Sequence, residues 1–254
     1  MKRLTLPAVL LLVACSVEAP APETSHAEPA LAPATLPIDD AAGHRMEALT
    51  QEGDRWCTEN HTWCVQSGEQ TAGLVRQGDA SLPLPAPGAP WPNVILTGPE
   101  SALIGLITSE SQMYSGGDAS TTHLTLYDVS GGAVRAVGTM PLTGAAAIRA
   151  CFNEDDQQRR AGACQDRYTF VSRVSIDAEN TGGPPRIVLE TAAGTFPGQV
   201  SRQEDSSERA PLTEQDLVWW QDDACSFRRV YTLGADGTYA PDQPLPACGD
   251  YLEP

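Results

Sequence analysis

Seven cysteines and one pair of adjacent tryptophans are the residues of this 254-residue chain best suited to chemistry or recognition. Six of the cysteines fall into three local pairs: Cys57 with Cys64, Cys151 with Cys164, and Cys225 with Cys248. Zinc clusters usually space two cysteines by two to four residues, with more Cys or His close by. The spacings here are longer, and His61 is the one histidine near a pair. Disulfides are therefore the expectation, and no metal is. Cys15 stands apart, at the end of an apolar run. Trp219 and Trp220 are neighbours in sequence. Adjacent side chains point to opposite faces of a strand, or about 100° apart on a helix. Two such rings do not fit one core pocket. The pair is a candidate partner-binding site, against the alternative that different layers cover both rings.

Catalytic motifs are missing. There is no G-x-S-x-G, S-x-x-K or H-E-x-x-H, no Walker loop and no G-x-G-x-x-G. His26, His44, His61 and His123 are scattered along the chain. Asn153-Glu154-Asp155-Asp156, between Cys151 and Cys164, is acidic but lacks the alternating carboxylates of a calcium loop, and reads as a solvated loop. A glycosidase needs two carboxylates roughly 5–10 Å apart. With 33 acidic residues, chance pairs are easy and sequence alone cannot single one out. No catalytic residue and no cofactor are expected.

The elements that would position these residues are mostly strands. One helix is expected near the start: Asp39 can cap it, Ile38, Ala42, Met46 and Leu49 share a face, and Gly53 follows as a stop. Arg55 to Gln66 reads as a hairpin turning at Asn60-His61, with Cys57 opposite Cys64 and with Trp56, Trp63 and Val65 on the other face. Near-continuous apolar runs, Asn93–Gly98 and Ala102–Ser109, suit buried strands. Trp91, between Pro90 and Pro92, is expected to pack a loop onto the domain. His123–Val129 and Ala133–Leu142 flank Ser130-Gly131-Gly132 as a second hairpin. In Tyr168–Asp177, Tyr168, Phe170, Val174 and Ile176 share one face. Arg186–Thr191 is a further strand. Phe227–Leu233 and Thr238-Tyr239 flank an Asp236-Gly237 turn closed by Cys225 and Cys248. Thr213-x-x-Asp216 marks a short helix start. Arg228 and Arg229 have Asp222 and Asp223 as candidate partners. The expected fold is all-β, a mainly antiparallel sandwich or irregular propeller, with one or two short helices. Its strands fall into two groups, 93–142 and 168–240.

Asp177-x-Glu179-Asn180-x-Gly182 before Arg186-Ile187-Val188-Leu189 faintly resembles the calcium loops of FG-GAP propeller repeats. That pattern expects a closing Asp where this chain has Pro185-Arg186, so calcium is not predicted. The N-terminus carries a more specific likeness. Lys2 and Arg3 precede an uncharged run of 11 residues, Leu4 to Ala14. About 20 apolar residues are needed to span a bilayer, so this run matches a secretory signal instead. It ends in Leu12-Val13-Ala14-Cys15, which resembles the lipobox of bacterial lipoproteins. The resemblance covers residues 1–15. It implies cleavage before Cys15, a lipid-modified thiol and an acylated new N-terminus, hence anchorage in a lipid bilayer by more than one chain. In Gram-negative lipoproteins an Asp after the cysteine commonly retains the protein at the inner membrane. Ser16 implies the outer membrane, facing the periplasm.

Three segments follow: a signal peptide over 1–14, a lipid anchor and Ala/Pro-rich tether over 15–37, and one disulfide-bonded, mainly β domain over 38–254. Residues 16–37 lack aromatics and apolar periodicity, and a Pro-rich chain of that length reaches roughly 70 Å. Removing Lys2 and Arg3 from the 16 basic residues leaves 14 against 33 acidic ones, a mature net charge of −19. Such a chain repels nucleic acid, which is excluded as a partner, and favours a cationic envelope protein or peptide. The expected function is a non-enzymatic binding or scaffolding module. The alternative is a periplasmic hydrolase or glycan-processing enzyme.

Overall fold

The computed structural model describes residues 27–66, 73–77, 80–206 and 208–254. Cys15 and His26 lie outside them. Sixteen strands are described, in two antiparallel sheets. The small sheet runs in chain order through β3 (Thr50–Glu52), β4 (Arg55–Cys57), β5 (Trp63–Gln66), β6 (Leu74–Gln77) and β7 (Ala80–Pro83). The large sheet starts with β1 (Ile38–Asp39) and β2 (Arg45–Ala48). It continues through β8 (Ala89–Gly98), β9 (Ser101–Tyr114), β10 (Gly117–Ser130) and β11 (Ala133–Arg149), then β12 (Gln165–Ile176) and β13 (Ile187–Phe196). Beside β13 lie the short β14 (Trp220–Gln221) and β15 (Arg228–Leu233), and β16 (Tyr239–Pro241) closes the series. Two short helices complete the chain, α1 (Glu154–Arg159) and α2 (Gly249–Leu252). The architecture is all-β and mainly antiparallel, with two short helices and no closed barrel.

Strands β8 to β10 are buried on both faces, which explains their near-continuous apolar runs. Ile95, Leu103, Leu124 and Leu126 face one core. Val94, Ile104, Leu106 and Tyr127 face another, covered by Trp63, Val65 and Val75 of the small sheet. That contact is a sandwich. The two expected strand groups are not separate, because β11 pairs with β12 from Thr143↔Val171 to Arg149↔Gln165. After Val171 this pairing stops, and the second half of β12 leaves β11. The sheet curls so that β1 and β2 come against β12. On the inner face beyond, α2 covers Tyr168 and Phe170. A Cβ at Gly144 would lie 2.2 Å from the Tyr251 carbonyl oxygen, so this close approach requires glycine.

Several sequence expectations are corrected. The helix expected over 38–53 is absent. Asp40 instead accepts hydrogen bonds from the backbone N–H of Ala42 (3.0 Å) and His44 (2.8 Å), Gly43 takes φ +95°, and Ile38 pairs with Met46. Self-turning by an Asp side chain outcompetes the helix. The apolar pattern is shared between two cores, Met46 in one and Leu49 in the other. The Cys57 hairpin keeps its register, Cys57↔Cys64 and Trp56↔Val65. Its turn is longer than two residues: the Thr58 N–H bonds the Trp63 carbonyl, and His61 sits at φ 55°. Trp91 belongs to β8 and is buried against Gly105. Asn153 caps α1, so the acidic stretch is helical, not irregular. Arg228 faces Glu190 at 3.8 Å, and Arg229 stacks on Phe227. Neither meets the expected Asp222 or Asp223.

Candidate binding clefts

The three expected disulfides form, Cys57–Cys64, Cys151–Cys164 and Cys225–Cys248, with Cα separations of 4.1, 4.8 and 5.9 Å. Cys57, His61 and Cys64 come together, but both sulfurs are consumed in the disulfide and are no thiolate ligands. The other two bridges brace one region. Arg160 and Asp166, flanking Cys164, form an ion pair with side chains only 5% and 4% exposed. Ser206 donates to the same carboxylate, the Leu212 N–H bonds the Arg159 carbonyl, and Arg159 donates to the Arg209 carbonyl. On the other side Ser201 donates to Asp250 of α2 at 2.8 Å, and the Tyr251 hydroxyl donates to Asp222 at 3.0 Å. Loop 197–220, which has little regular structure, is therefore tied to the segment closed by Cys151–Cys164 and to α2, which follows Cys248.

That loop carries the tryptophans. A 3-10 turn at Glu214–Asp216 lies before them, where Thr213-x-x-Asp216 was expected to start a short helix; the Asp216 carboxylate accepts from the Thr213 backbone N–H and hydroxyl, which holds its pKa below the usual value. Trp219 is buried, 5.8 Å from Phe196, with the Arg167 guanidinium 5.1 Å over its ring. Trp220 pairs with Thr195 in β14 and stays half-buried. Both line a cleft of about 520 Å³ between Pro197–Val200 and Arg209–Leu212. Its lining carries one carboxylate, Asp216, and one guanidinium, Arg209, within a segment, 202–223, that holds seven acidic side chains and two arginines. A broader depression of about 940 Å³ lies beside α1, lined by Arg149, Phe152 and Arg167. It is shallow and open.

Two arrangements were not legible in the sequence. First, His44 Nδ1 bonds Asp40 Oδ2 at 2.7 Å, and Asn180 Nδ2 donates to the same oxygen at 3.0 Å. Burial raises the Asp40 carboxyl, but the bonds from His44 and Asn180 outweigh it and leave the pKa below its usual value. A buried carboxylate orienting an imidazole is what a general base needs. His44 lines a cleft of about 260 Å³, but its polar neighbours are engaged: Asp128 with Ser130 and Arg135, Tyr239 with the Pro185 carbonyl. No nucleophilic hydroxyl bonds His44 among the described residues. The triad of Asp40, His44 and Asn180 pins the β1–β2 turn to loop 177–186. In that loop Asp177 pairs with Arg186, which puts a guanidinium where a calcium-loop pattern would put the ion.

Second, residues 28–36, which composition assigns to the tether, lie against the domain. Glu28 accepts from Thr169 at 2.8 Å and faces Arg167 at 3.5 Å. Arg173 donates to the Ala32 carbonyl at 2.7 Å. Arg167, Thr169 and Arg173 alternate with buried Tyr168, Phe170 and Val174, so this strap runs on the outer face of β12. It ends where Leu36 turns into the core, and between strap and sheet is a cavity of about 540 Å³.

The fold and clefts define a two-sheet antiparallel β protein with ligand-sized concavities. No family model, curated relative or solved structure matches the chain. Among the described residues no helix is long and apolar enough to cross a membrane.

Proposed function

We propose that the chain is a lipid-anchored envelope protein whose β domain is a non-enzymatic binding module for a cationic protein or peptide. Acylated Cys15 holds it at the periplasmic face of the outer membrane. The observation that carries the binding reading is Trp220, half-buried at a cleft beside buried Trp219 in an acidic segment of the chain. Aromatic anchors in partly desolvated clefts dominate many interfaces, and the chain's net negative charge steers basic partners. The lipobox string at Cys15 supports the anchor.

The chain from Ser16 onward keeps every described residue. Calorimetry with a lysine- and proline-rich peptide should show binding that weakens with salt and falls about tenfold or more in Trp220→Ala. Salt-independent binding, or preference for the glutamate counterpart of that peptide, overturns the cleft assignment. In cells, Cys15→Ser should release the protein from the membrane fraction; retention overturns the anchor. The enzyme alternative has the Asp40–His44 pair as its one specific support. Turnover of a glycan or peptide that disappears in His44→Gln would replace the binding module with a hydrolase.

A further inference from the structure

We infer that the end of the large sheet carrying the β9–β10 turn rests on a zwitterionic phospholipid bilayer, with Met113 and Phe152 reaching into its interface. The inference rests on the anchor at Cys15 and deepens it. Met113 and Phe152 are 87% and 65% exposed, the most exposed large apolar side chains among the described residues. Tyr114 is exposed as well. All three stand at one end of the sheet. Met113 pairs with Asp118 and Tyr114 with Gly117, beside the turn at Ser115-Gly116. Gly116, Gly117 and Phe152 line the same open depression as Arg149 and Arg167. Phe152 follows disulfide-bonded Cys151, and its N–H donates to the Asp156 carboxylate of α1 at 2.9 Å. The ring is therefore presented outward by a braced loop.

The place where the chain arrives from Cys15 says what covers this patch. Glu28 sits on Arg167 and Thr169, and Ala32 on Arg173. Residues 28–36 therefore run along β12 away from this end, and Glu28 marks where the domain is tethered. Twelve residues, 16–27, separate it from Cys15, a span of at most about 45 Å. Strand β9 is itself about 45 Å long, so the far end of the sheet lies at the limit of that reach. A bilayer holding Cys15 meets first the end that exposes Met113 and Phe152. The charges set the kind of surface. Arg149 Nε donates to the Cys151 carbonyl at 2.7 Å, and its guanidinium lies 5.1 Å over the Phe152 ring. Cation and apolar ring reach the surface together, which suits a headgroup boundary. Exposed Glu28, Asp118 and Glu154 stand beside Arg149 and Arg167. The end is mixed in charge and the whole chain carries −17, so headgroups with both phosphate and ammonium suit it better than net-anionic ones.

The test uses the chain from Ser16 onward, held through an added N-terminal polyhistidine tag to nickel-chelating lipid in phosphatidylcholine vesicles. The tag supplies a tether whether or not cells acylate Cys15, so failure here is distinct from failure of the anchor. A nitroxide on Met113→Cys should, on the vesicles, collide several-fold more with oxygen relative to aqueous chromium oxalate than it does in solution. The same label on Glu100→Cys, in the turn at the opposite end of β9, should stay in water. Phe152→Asp and, separately, Arg149→Glu should return the Met113 label toward water, and replacing phosphatidylcholine with phosphatidylglycerol should do the same. Both substituted residues are exposed, so the melting temperature should not change. A label at 113 that stays as wet as the label at 100, or one whose burial neither variant reduces, overturns the inference. Deeper burial on phosphatidylglycerol overturns the zwitterionic assignment. Shielding that appears without vesicles, together with a dimer in sedimentation, assigns the patch to a second copy of the chain and overturns the bilayer.

Discussion

Loop 197–220 forms the tryptophan cleft from residues with little regular structure, whereas the cavity under residues 28–36 is walled by five strands. The cleft lies in an acidic segment and owes its shape to ties to the Cys151–Cys164 segment and to α2, and to a buried ion pair. The cavity is apolar and owes its shape to an interruption in sheet pairing. The difference separates two ways of making a concavity. An irregular loop has many solvated backbone groups and must be tied from outside. A sheet supplies its own hydrogen bonds and need only fail to close.

Breaking the ties should therefore affect one concavity and spare the other. The largest effect is expected from Asp166→Asn. It leaves the Arg160 guanidinium buried without its charge partner, which costs about 3–5 kcal/mol. Urea denaturation should show that loss, and the lysine-rich peptide should bind weakly in the absence of denaturant. An unchanged denaturation midpoint with full peptide binding would mean that the cleft does not depend on this tie.

A smaller effect comes from alkali. Burial raises the hydroxyls of Tyr168 and Tyr251 far above the ordinary value, and Tyr251 is raised further by Asp222. Burial also pushes Tyr231 up to about 12. A raised phenol favours the neutral form in the folded state. Its stabilisation is full below the unfolded value near 10 and is lost as pH rises through the folded value. The melting temperature should fall steadily above about pH 10. Tyr168 and Tyr251 share the core beside loop 197–220, so Tyr251→Phe should flatten the fall and keep peptide binding at higher pH. A melting temperature that does not change between neutral and strongly alkaline pH would contradict the burial of these hydroxyls.

Much of the strand content was legible because its signals are local. The alternation of Tyr168, Phe170, Val174 and Ile176 placed them on one face of β12. Gly131-Gly132 and Asp236-Gly237 marked turns, and both are left-handed where glycine stands. The local Cys pairs formed as spaced. The same local logic misplaced residues 38–53, where an i, i+4 pattern suited a helix but Asp40 had a better use for its carboxylate. The tryptophan pair was legible as an oddity of spacing. The concavity beside it was not, because its walls come from Pro197 and Leu212 as well.

By itself the sequence determined the antiparallel β class, the disulfide partners and the outward or inward sense of the residues in β12 and in the Cys57–Cys64 hairpin. These depend on side chains a few positions apart, where the period of the backbone decides. Only the tertiary structure decided that both strand groups join in one curled sheet, that residues 28–36 lie on β12, and that Asp40 meets Asn180. Those contacts link residues up to 141 positions apart, and no local period encodes which distant segment a strand edge or a buried carboxylate will find.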